Sequence, residues 1–285
     1  MARKGAEIFK HVSNQMLLEA VKKRDWSAAR TIVYEDAAYA HIKDHQGFLP
    51  LHLTVKFGGP PELTIKLLTA NPDAVRLRDP DGNYPLHLSA YHHKGRLWIN
   101  ISEVATTLYA AFPDAIKELD AAGNLPLHIA IRYRAPDELI RFLVQNYPKS
   151  SEIEDGFGNL PLHLSIQFES NPEVVRFLMN NYPNALKIGN RRGSLPLHKA
   201  AQFEASMDVL RMILDADGSA ASVKDNRGNV PLHLLFLFCA GPPAEERLSL
   251  LLRSYPGAVG MGNNAGCIPF GMMNRPQDDY VDDYR

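Results

Sequence analysis

Polar and apolar positions along the chain repeat in a block that is most often 35 residues long. Each block opens with Asp or Asn, followed three residues later by the phrase Gly-x-x-Pro-Leu-His. Leu162, Ser165 and Ile166 show the helical spacing that starts at the proline. A second helical stretch ends before another proline, because the residue before proline is pushed out of the α region. The pattern predicts a turn, two helices joined by a loop, and an extended return segment.

The phrase occurs in register through most of the chain. Successive glycines are 35, 41, 35, 35 and 35 residues apart, and a degenerate seventh copy begins 38 residues later at Gly266. A period of this size is typical of a stacked array of small units and not of one globular core. The six intact copies begin at Gly47, Gly82, Gly123, Gly158, Gly193 and Gly228.

The start of each block has the chemistry of a tight turn that leads into a helix. An Asx side chain bonds its own backbone in turns, and glycine accepts the positive φ that a tight turn often needs. Proline suits the first helical position, where its missing N–H has no helical partner to lose. We therefore expect six full repeats over residues 44–262, numbered 1 to 6 in chain order. The Asx residues are Asp44, Asp79, Asp120, Asp155, Asn190 and Asp225, with Asn263 in the degenerate copy.

The two ends depart from the block. Residues 14–43 contain two short helical patterns and many charges but no Pro-Leu-His phrase. A terminal repeat has one face without a neighbour, so we interpret this segment as an N-terminal cap. Residues 263–273 are interpreted as a degenerate C-terminal cap. We expect residues 1–13 to be a loose lead-in and the acidic residues 274–285 to be a disordered tail.

Composition places few further limits on function. With 285 residues, of which 45% are hydrophobic, the chain can bury a continuous core. A formal charge of −1 gives no global attraction to nucleic acid or to anionic lipid. Cys239 and Cys267 form no ligand pattern, the N-terminus lacks the apolar run of a secretory signal, and no apolar stretch is long enough to span a membrane. We therefore expect a cytoplasmic or nuclear protein that does not bind membranes.

The block resembles the ankyrin repeat, whose hallmark is Asp-x-x-Gly-x-Thr-Pro-Leu-His at a period of about 33 residues. The resemblance covers roughly residues 14–273 and rests on six copies of Pro-Leu-His in phase. It implies an all-α solenoid of helix-loop-helix units, with β-hairpin or turn fingers at right angles to the helices. It also implies a curved array whose concave groove, lined by fingers and first helices, holds protein partners.

The chain departs from the family pattern in three ways. The family's threonine is replaced by a residue that cannot cap a helix N-terminus, a loss of about 1 kcal/mol for each helix. The proline and the histidine must then order more of the turn. Most blocks are also about two residues longer than the family's period, and repeat 2 has a further insertion in residues 91–98, between its helices. The replacing residues are Leu49, Tyr84, Leu125, Leu160, Leu195 and Val230.

Six of the eleven histidines occupy one position of the repeat. They cannot share a metal ion, because zinc ligands lie about 2 Å from the ion whereas packed helices are about 8–10 Å apart. We interpret them as neutral structural side chains that bond the backbone where repeats meet. They are His52, His87, His128, His163, His198 and His233. The other close pairs, His41 with His45 and His92 with His93, lack further ligands, so no metal site is expected.

No group of residues indicates catalysis. The chain lacks Gly-x-Ser-x-Gly, a cysteine with a convincing histidine partner, and a phosphate-binding loop. Gly257, Gly260 and Gly262 have the wrong order for dinucleotide binding. We therefore expect no catalytic residues, no cofactor and no enzymatic activity. An unrecognised enzyme is the alternative, and turnover by the purified chain would reveal it.

Comparison of the repeats with one another separates framework from binding surface, because positions that serve the stack recur in every copy. By this test an aromatic residue that follows five of the six predicted first helices is framework, with a peptide-binding stripe as the alternative. The variable finger tips, and a variable position in the first helix, predict the partner-binding surface instead. The recurring aromatics are Phe57, Tyr133, Phe168, Phe203 and Phe238. The candidate partner-binding residues are Arg132, Phe157, Asn159, Gln167, Arg191, Arg192, Gln202 and Arg227.

Three of these candidates are arginines on adjacent fingers, and they predict a basic patch that fits an acidic partner. Simple solvation of exposed turns is the alternative interpretation of these charges. The lysines that flank the arginines are Lys187, Lys199 and Lys224.

The sequence therefore predicts a non-enzymatic interaction module or scaffold that binds an unidentified, acidic protein partner and is itself a monomer. The alternative is a binder of nucleic acid, or of a phosphorylated or acidic ligand, through the basic fingers. Nucleic acid is the less favoured of these, and its affinity would fall steeply with salt. A further hypothesis is autoinhibition, in which the acidic tail lies across the basic fingers.

Overall fold

The computed structural model describes residues 16–91, 101–238 and 245–273. These residues form two compact units, residues 1–150 and residues 151–285. The division into caps, six repeats and tail stays a prediction. Three predicted segments fall outside the described residues, namely the lead-in 1–13, the insertion beyond Tyr91 and the tail 274–285.

The unit formed by residues 1–150 contains paired helices in the predicted order. They are α1 (16–22), α2 (Trp26–Glu35), α3 (Pro50–Lys56), α4 (Pro61–Ala70), α5 (Pro85–Ser89), α6 (Ile101–Ala111), α7 (Pro126–Arg132) and α8 (Asp137–Asn146). The short first helices α3, α5 and α7 contact one another in sequence order. The longer second helices α4, α6 and α8 form a second row in the same way.

The unit formed by residues 151–285 repeats this plan. Its helices are α9 (Pro161–Gln167), α10 (Pro172–Asn181), α11 (Pro196–Gln202), α12 (Met207–Ala216), α13 (Pro231–Phe238) and α14 (Glu245–Ser254). The first helices α9, α11 and α13 pack in one row, and α10, α12 and α14 pack in another. The core of the unit lies between and within these two rows.

The two rows bury different amounts of each helix. The six residues from Pro161 to Ile166 are all buried, so α9 has almost no solvent face. In α12 the residues Val209, Leu210, Ile213 and Leu214 are buried. That spacing places them on one face of a helix whose other face is polar. The first helices therefore form the inner row and the second helices the outer row.

A 3-10 helix follows each second helix, where the sequence predicted an extended return. Tyr182 leaves the helical region at φ −140°, as expected before a proline, but Pro183–Lys187 then coils again and buries Ala185 and Leu186. The predicted extended segment was therefore wrong in its first five residues. The corresponding elements are Ala37–His41, Pro72–Arg76, Pro113–Lys117, Pro148–Glu152, Gly218–Ser222 and Pro256–Gly260, and Pro269–Met272 lies in the C-terminal cap.

The fingers are tight turns. In repeat 2 the backbone N–H of Asp79 donates to the carbonyl of Asn83 at 2.8 Å. The Asp79 carboxylate accepts from the N–H groups of Asp81 and Asn83 at 2.9 and 2.8 Å. Within the described residues no β-strand is formed. The all-α fold class is confirmed, with turns and not β-hairpins as the fingers.

Candidate partner-binding surface

The histidine of the Pro-Leu-His phrase joins one repeat to the next. In α11, Nδ1 of His198 accepts a hydrogen bond from the backbone N–H of Leu195 at 3.1 Å. Its Nε2 lies 3.0 Å from the carbonyl oxygen of Asn229 in the following repeat. A backbone nitrogen only donates, so Nδ1 carries no proton and Nε2–H is the donor. The neutral ring thus satisfies a donor at the start of a helix whose N-cap residue, Leu195, is apolar.

This pair of bonds recurs in both units. The Nε2 atoms of His52, His87, His163 and His233 lie 2.9–3.0 Å from the carbonyl oxygens of Leu77, Glu118, Ser194 and Cys267. All six phrase histidines are fully buried. Burial lowers the pKa of His87 to about 4 and that of His163 to about 3. These rings are therefore neutral at physiological pH, and we infer that their role is structural.

Two other kinds of site, a metal site and a membrane span, are not found in the described part of the chain. There, no three His, Cys, Asp or Glu side chains come close enough to hold a metal ion. Nor, in those residues, is any helix both long and apolar enough to cross a bilayer. The remaining candidate is the surface of the fingers and first helices.

Backbone hydrogen bonds tie neighbouring fingers together in the unit of residues 151–285. Asn226 donates its N–H to the carbonyl of Arg192 at 2.9 Å and its side-chain amide to the carbonyl of Arg191 at 3.0 Å. One finger further on, Asn264 donates its N–H to the carbonyl of Arg227 at 2.9 Å. Arg191 is exposed, and Arg192 and Arg227 are half-buried. The structure therefore brings the three predicted arginines onto adjacent, fixed fingers.

Phe157 lies beside these arginines, on the finger of repeat 4. It is 62% exposed, which is unusual for a large apolar side chain. Its neighbour Gly158 has φ +78°, and a Cβ at that glycine would lie 2.8 Å from the backbone nitrogen of Arg191. Glycine alone permits so close an approach of the two fingers. The result is an exposed aromatic ring next to the basic fingers.

Asn159, in contrast, is not part of an accessible surface, and its prediction as a partner contact needs correction. Its side chain is only 7% exposed. The Nδ2 group donates to the carboxylate of Asp155 at 3.3 Å, and Oδ1 accepts from Nδ2 of Asn190 at 2.8 Å. Asn229 makes the equivalent bonds two fingers further on. These asparagines bond the fingers to one another and belong to the framework.

Lys199 is a residue whose importance the sequence pattern did not indicate. By sequence it is one of three lysines that flank the finger arginines, but the structure places it inside α11, directly after His198 and only 3% exposed. Comparison of this position across the repeats would have found it, because every other copy holds an aliphatic residue there. Those residues are Leu53, Leu88, Ile129, Leu164 and Leu234.

The Lys199 ammonium group has only neutral partners at contact distance. Nζ donates to Oε1 of Gln167 at 3.1 Å and lies 5.4 Å from the ring centroid of Phe203. Among the described residues no carboxylate lies within salt-bridge distance of this amine. Burial, and to a smaller extent the positive charge of Arg192, lower its pKa to about 8, against the weaker attraction of Asp155.

Two predicted glutamines complete this group, which we name the Gln-Lys cluster (Gln167, Lys199 and Gln202). Gln167 ends α9 and is half-buried, whereas Gln202 ends α11 and is only 6% exposed. Gln202 lies three residues after Lys199, so both side chains are on one face of the helix. Its Oε1 is buried and accepts no hydrogen bond from any described residue. The expectation of an open, variable position is therefore wrong for Gln202, which is a buried polar group.

Arg132 belongs to the other unit. It ends α7 at the position that Gln167 occupies in α9, and it is half-buried. Its contact with a partner stays a prediction for the unit of residues 1–150.

The comparisons with known proteins bear on this same region. A family model described as ankyrin repeats, in three copies, matches residues 127–226. These residues are similar to ankyrin repeats. The ankyrin match begins in α7 and ends in the finger of repeat 6, so it contains the whole Gln-Lys cluster. Curated proteins gave no match to the chain. Ankyrin repeats are generally protein–protein interaction modules.

Proposed function

We propose that the chain is a non-enzymatic interaction module that binds an acidic segment of a partner protein on residues 151–273. The observation that carries this proposal is the row of arginines on hydrogen-bonded fingers, next to an exposed phenylalanine. We call Arg191, Arg192 and Arg227, with Lys187 and Lys224, the basic fingers.

Charge supports this surface as a site for an acidic partner. The whole chain has a formal charge of −1, so the basic fingers are a local concentration of positive charge and not a general property. Lys187 and Arg191 are exposed and make no salt bridge to any described residue. Such a patch steers an oppositely charged partner and disfavours a basic one.

The rigidity of the fingers also supports this surface as a binding site. The hydrogen bonds between fingers hold the backbone of Arg191, Arg192 and Arg227 before any partner arrives. A preformed surface loses little conformational entropy on binding, which leaves more of the contact energy for affinity. Exposed Phe157 supplies the aromatic anchor that binding hot spots often contain.

The experiment is a selection of random peptides on the full chain, followed by affinity measurements. We expect enrichment of peptides rich in Asp and Glu. Their binding should be lost in the triple variant Arg191→Glu, Arg192→Glu, Arg227→Glu. The matched control reverses three exposed arginines on the second helices, Arg30, Arg176 and Arg253, with the same change in net charge. Equal binding by both triple variants, or selection of peptides without acidic residues, would contradict the proposal.

One observation favours a second candidate function. An exposed aromatic ring among arginines also suits single-stranded nucleic acid, because bases stack on the ring while phosphates pair with the charges. Binding of a single-stranded oligonucleotide should then weaken by a large factor between about 50 mM and about 200 mM salt. Tight oligonucleotide binding that depends on Phe157 and the three arginines would replace the acidic partner with this class of ligand.

We further propose that the module is monomeric and is located in the cytoplasm or nucleus. Light scattering of the purified chain tests the first statement, and imaging of a tagged full-length protein tests the second.

A further inference from the structure

We propose that Lys199 is the anchor for one specific carboxylate of the partner, and that Gln202 receives a backbone N–H of the same segment. This inference rests on the proposed function and deepens it, since it names the position that selects the acidic segment. Lys199 would thus be a specificity-determining residue at the centre of the site, with the basic fingers around it.

The first support is that the fold has no use for a charge at this position. Five repeats place Leu or Ile there and complete the same inner row of helices. Burying an ammonium group is unfavourable unless an anion pairs with it, and replacement of buried charges by apolar residues often stabilises a protein. A residue that breaks the packing rule of all its equivalents is expected at a functional site.

The second support is the chemistry around the amine. Its contacts are an amide oxygen and the face of an aromatic ring, which solvate a cation without neutralising it. Asp155 lies near enough to attract it, but the Asp155 carboxylate already accepts hydrogen bonds from Phe157 and Asn159 of its own finger. Arg192 adds a second positive charge to the electrostatic field at this amine.

The third support is access. The aliphatic stem of Lys199 fills the space that leucine fills elsewhere, while its amine reaches Gln167 at the end of α9. Gln167 is half-buried, so this end of the side chain lies at the edge of the core. Lys199 is only 3% exposed, so the half-buried Gln167 covers its amine, and a partner reaches the amine by displacing the Gln167 side chain. A partner carboxylate at that edge could take the place of the Gln167 oxygen.

The fourth support distinguishes a peptide from a bare anion. Gln202 Oε1 is buried without a donor among the described residues, and it lies on the face of α11 that carries Lys199. A peptide offers both an acidic side chain and backbone N–H groups, so one segment can satisfy the cation and the acceptor together. A phosphate group offers acceptors alone and would leave Gln202 unsatisfied.

The test measures how the affinity of a selected acidic peptide depends on Lys199. Each Asp and Glu of the peptide is changed in turn to Asn or Gln, and each peptide is titrated against wild type and Lys199→Leu. Leu is the residue of the equivalent positions, so this variant is expected to fold, and thermal unfolding checks that it does. Leu164→Met, at the same position of α9, is the matched control without a change of charge.

We expect one acidic position of the peptide to lose about tenfold or more in affinity for wild type when it is neutralised. The same change should have less than about a twofold effect with Lys199→Leu, which shows that the two charges are coupled. Leu164→Met should retain the wild-type pattern.

The failures of the two proposals are distinguishable. If Lys199→Leu binds every peptide as wild type does, while reversal of Arg191, Arg192 and Arg227 abolishes binding, this inference is wrong and the acidic-partner function stands. If neither change affects binding, or no acidic peptide is selected, both are wrong. Loss of binding by Lys199→Leu without coupling to a single carboxylate also overturns the inference, because the lysine then acts only as general charge.

Discussion

Helices α11 and α13 begin with the same three residues and then differ completely. After Pro-Leu-His, α11 continues with Lys199 and ends at Gln202, whereas α13 has Leu234 and Leu237 at the same positions. All four side chains are less than a tenth exposed. The histidine bonds are the same in both helices, to within about 0.1 Å. One framework therefore holds a polar interior in one repeat and an apolar interior in a neighbouring repeat.

The difference shows which part of the phrase builds the array. Pro, Leu and His supply the helix start and the link to the next repeat, and their bonds do not depend on the residues after the histidine. Those later positions are free to vary, and in α11 they hold a charge that the core does not need. The repeats therefore share one framework but differ in the side chains that it holds.

Acid should have the largest effect on the free energy of unfolding, because it protonates the buried histidines that α11 and α13 share with the other repeats. Burial lowers the pKa of His163 to about 3 and of His87 to about 4, while the unfolded chain keeps about 6.5. Below pH 6.5 the unfolded state binds more protons, so stability is full above that pH and is lost as pH falls towards 3. Each pKa unit corresponds to about 1.4 kcal/mol for each histidine.

Urea unfolding between pH 7 and pH 4 measures this loss. The variant His163→Gln should show a shallower dependence, because glutamine can accept the same N-cap bond but does not titrate in this range. Equal stability at pH 7 and pH 5 would rule out neutral, buried histidines as the link between repeats.

Placing the charge of α11 into α13 should give the next largest effect. Leu234 is fully buried, and the equivalent of Gln167 in its neighbour α11 is the buried Gln202. The variant Leu234→Lys should lower the free energy of unfolding by about 3–5 kcal/mol, because an ammonium group replaces a fully buried apolar side chain. Leu234→Met, which keeps the volume, should cost less than about 1.5 kcal/mol. Similar losses in both variants would show that the polar setting in α11 is not special.

Removing one histidine that links two repeats should have an intermediate effect on the free energy of unfolding. His198→Ala leaves the N–H of Leu195 without a partner, removes one of the two donors to the carbonyl of Asn229 and opens a cavity, so we expect a loss of about 2–4 kcal/mol in urea unfolding. Gln202→Ala, in the same helix, removes a buried group with an unpaired oxygen and should cost less. A larger loss in Gln202→Ala would reverse our division between framework and binding positions.

The smallest effect should be a gain in the free energy of unfolding. Lys199→Leu gives α11 the residue of α13 and should raise the free energy of unfolding by about 1–2 kcal/mol at pH 7. With a folded-state pKa of about 8, the buried lysine loses its proton before the unfolded chain does. Wild-type stability therefore rises between about pH 8 and pH 10.4, and the gap to the variant narrows there. A variant less stable than wild type at pH 7 would mean that the charge supports the fold.

The sequence predicted the repeat architecture well because periodicity, prolines and Asx-Gly turns are local signals that recur in every block. It missed the 3-10 helices because the proline that ends one helix also suits the start of another, as at Pro183. It also misjudged Asn159 and Gln202, which vary between repeats and were therefore expected at the surface. Their burial depends on contacts with the neighbouring finger or helix, and no pattern within one block records those contacts.

The most direct test of the central claim is a nuclear magnetic resonance titration of the Lys199 side chain, with and without the selected acidic peptide. Without peptide, the amine should titrate with a pKa of about 8. With peptide, a bound carboxylate should raise that pKa towards the ordinary lysine value of about 10.4, because an opposite charge favours the protonated form. A free-state pKa near 10.4, or a pKa that peptide binding leaves unchanged, would contradict Lys199 as the buried anchor of the partner.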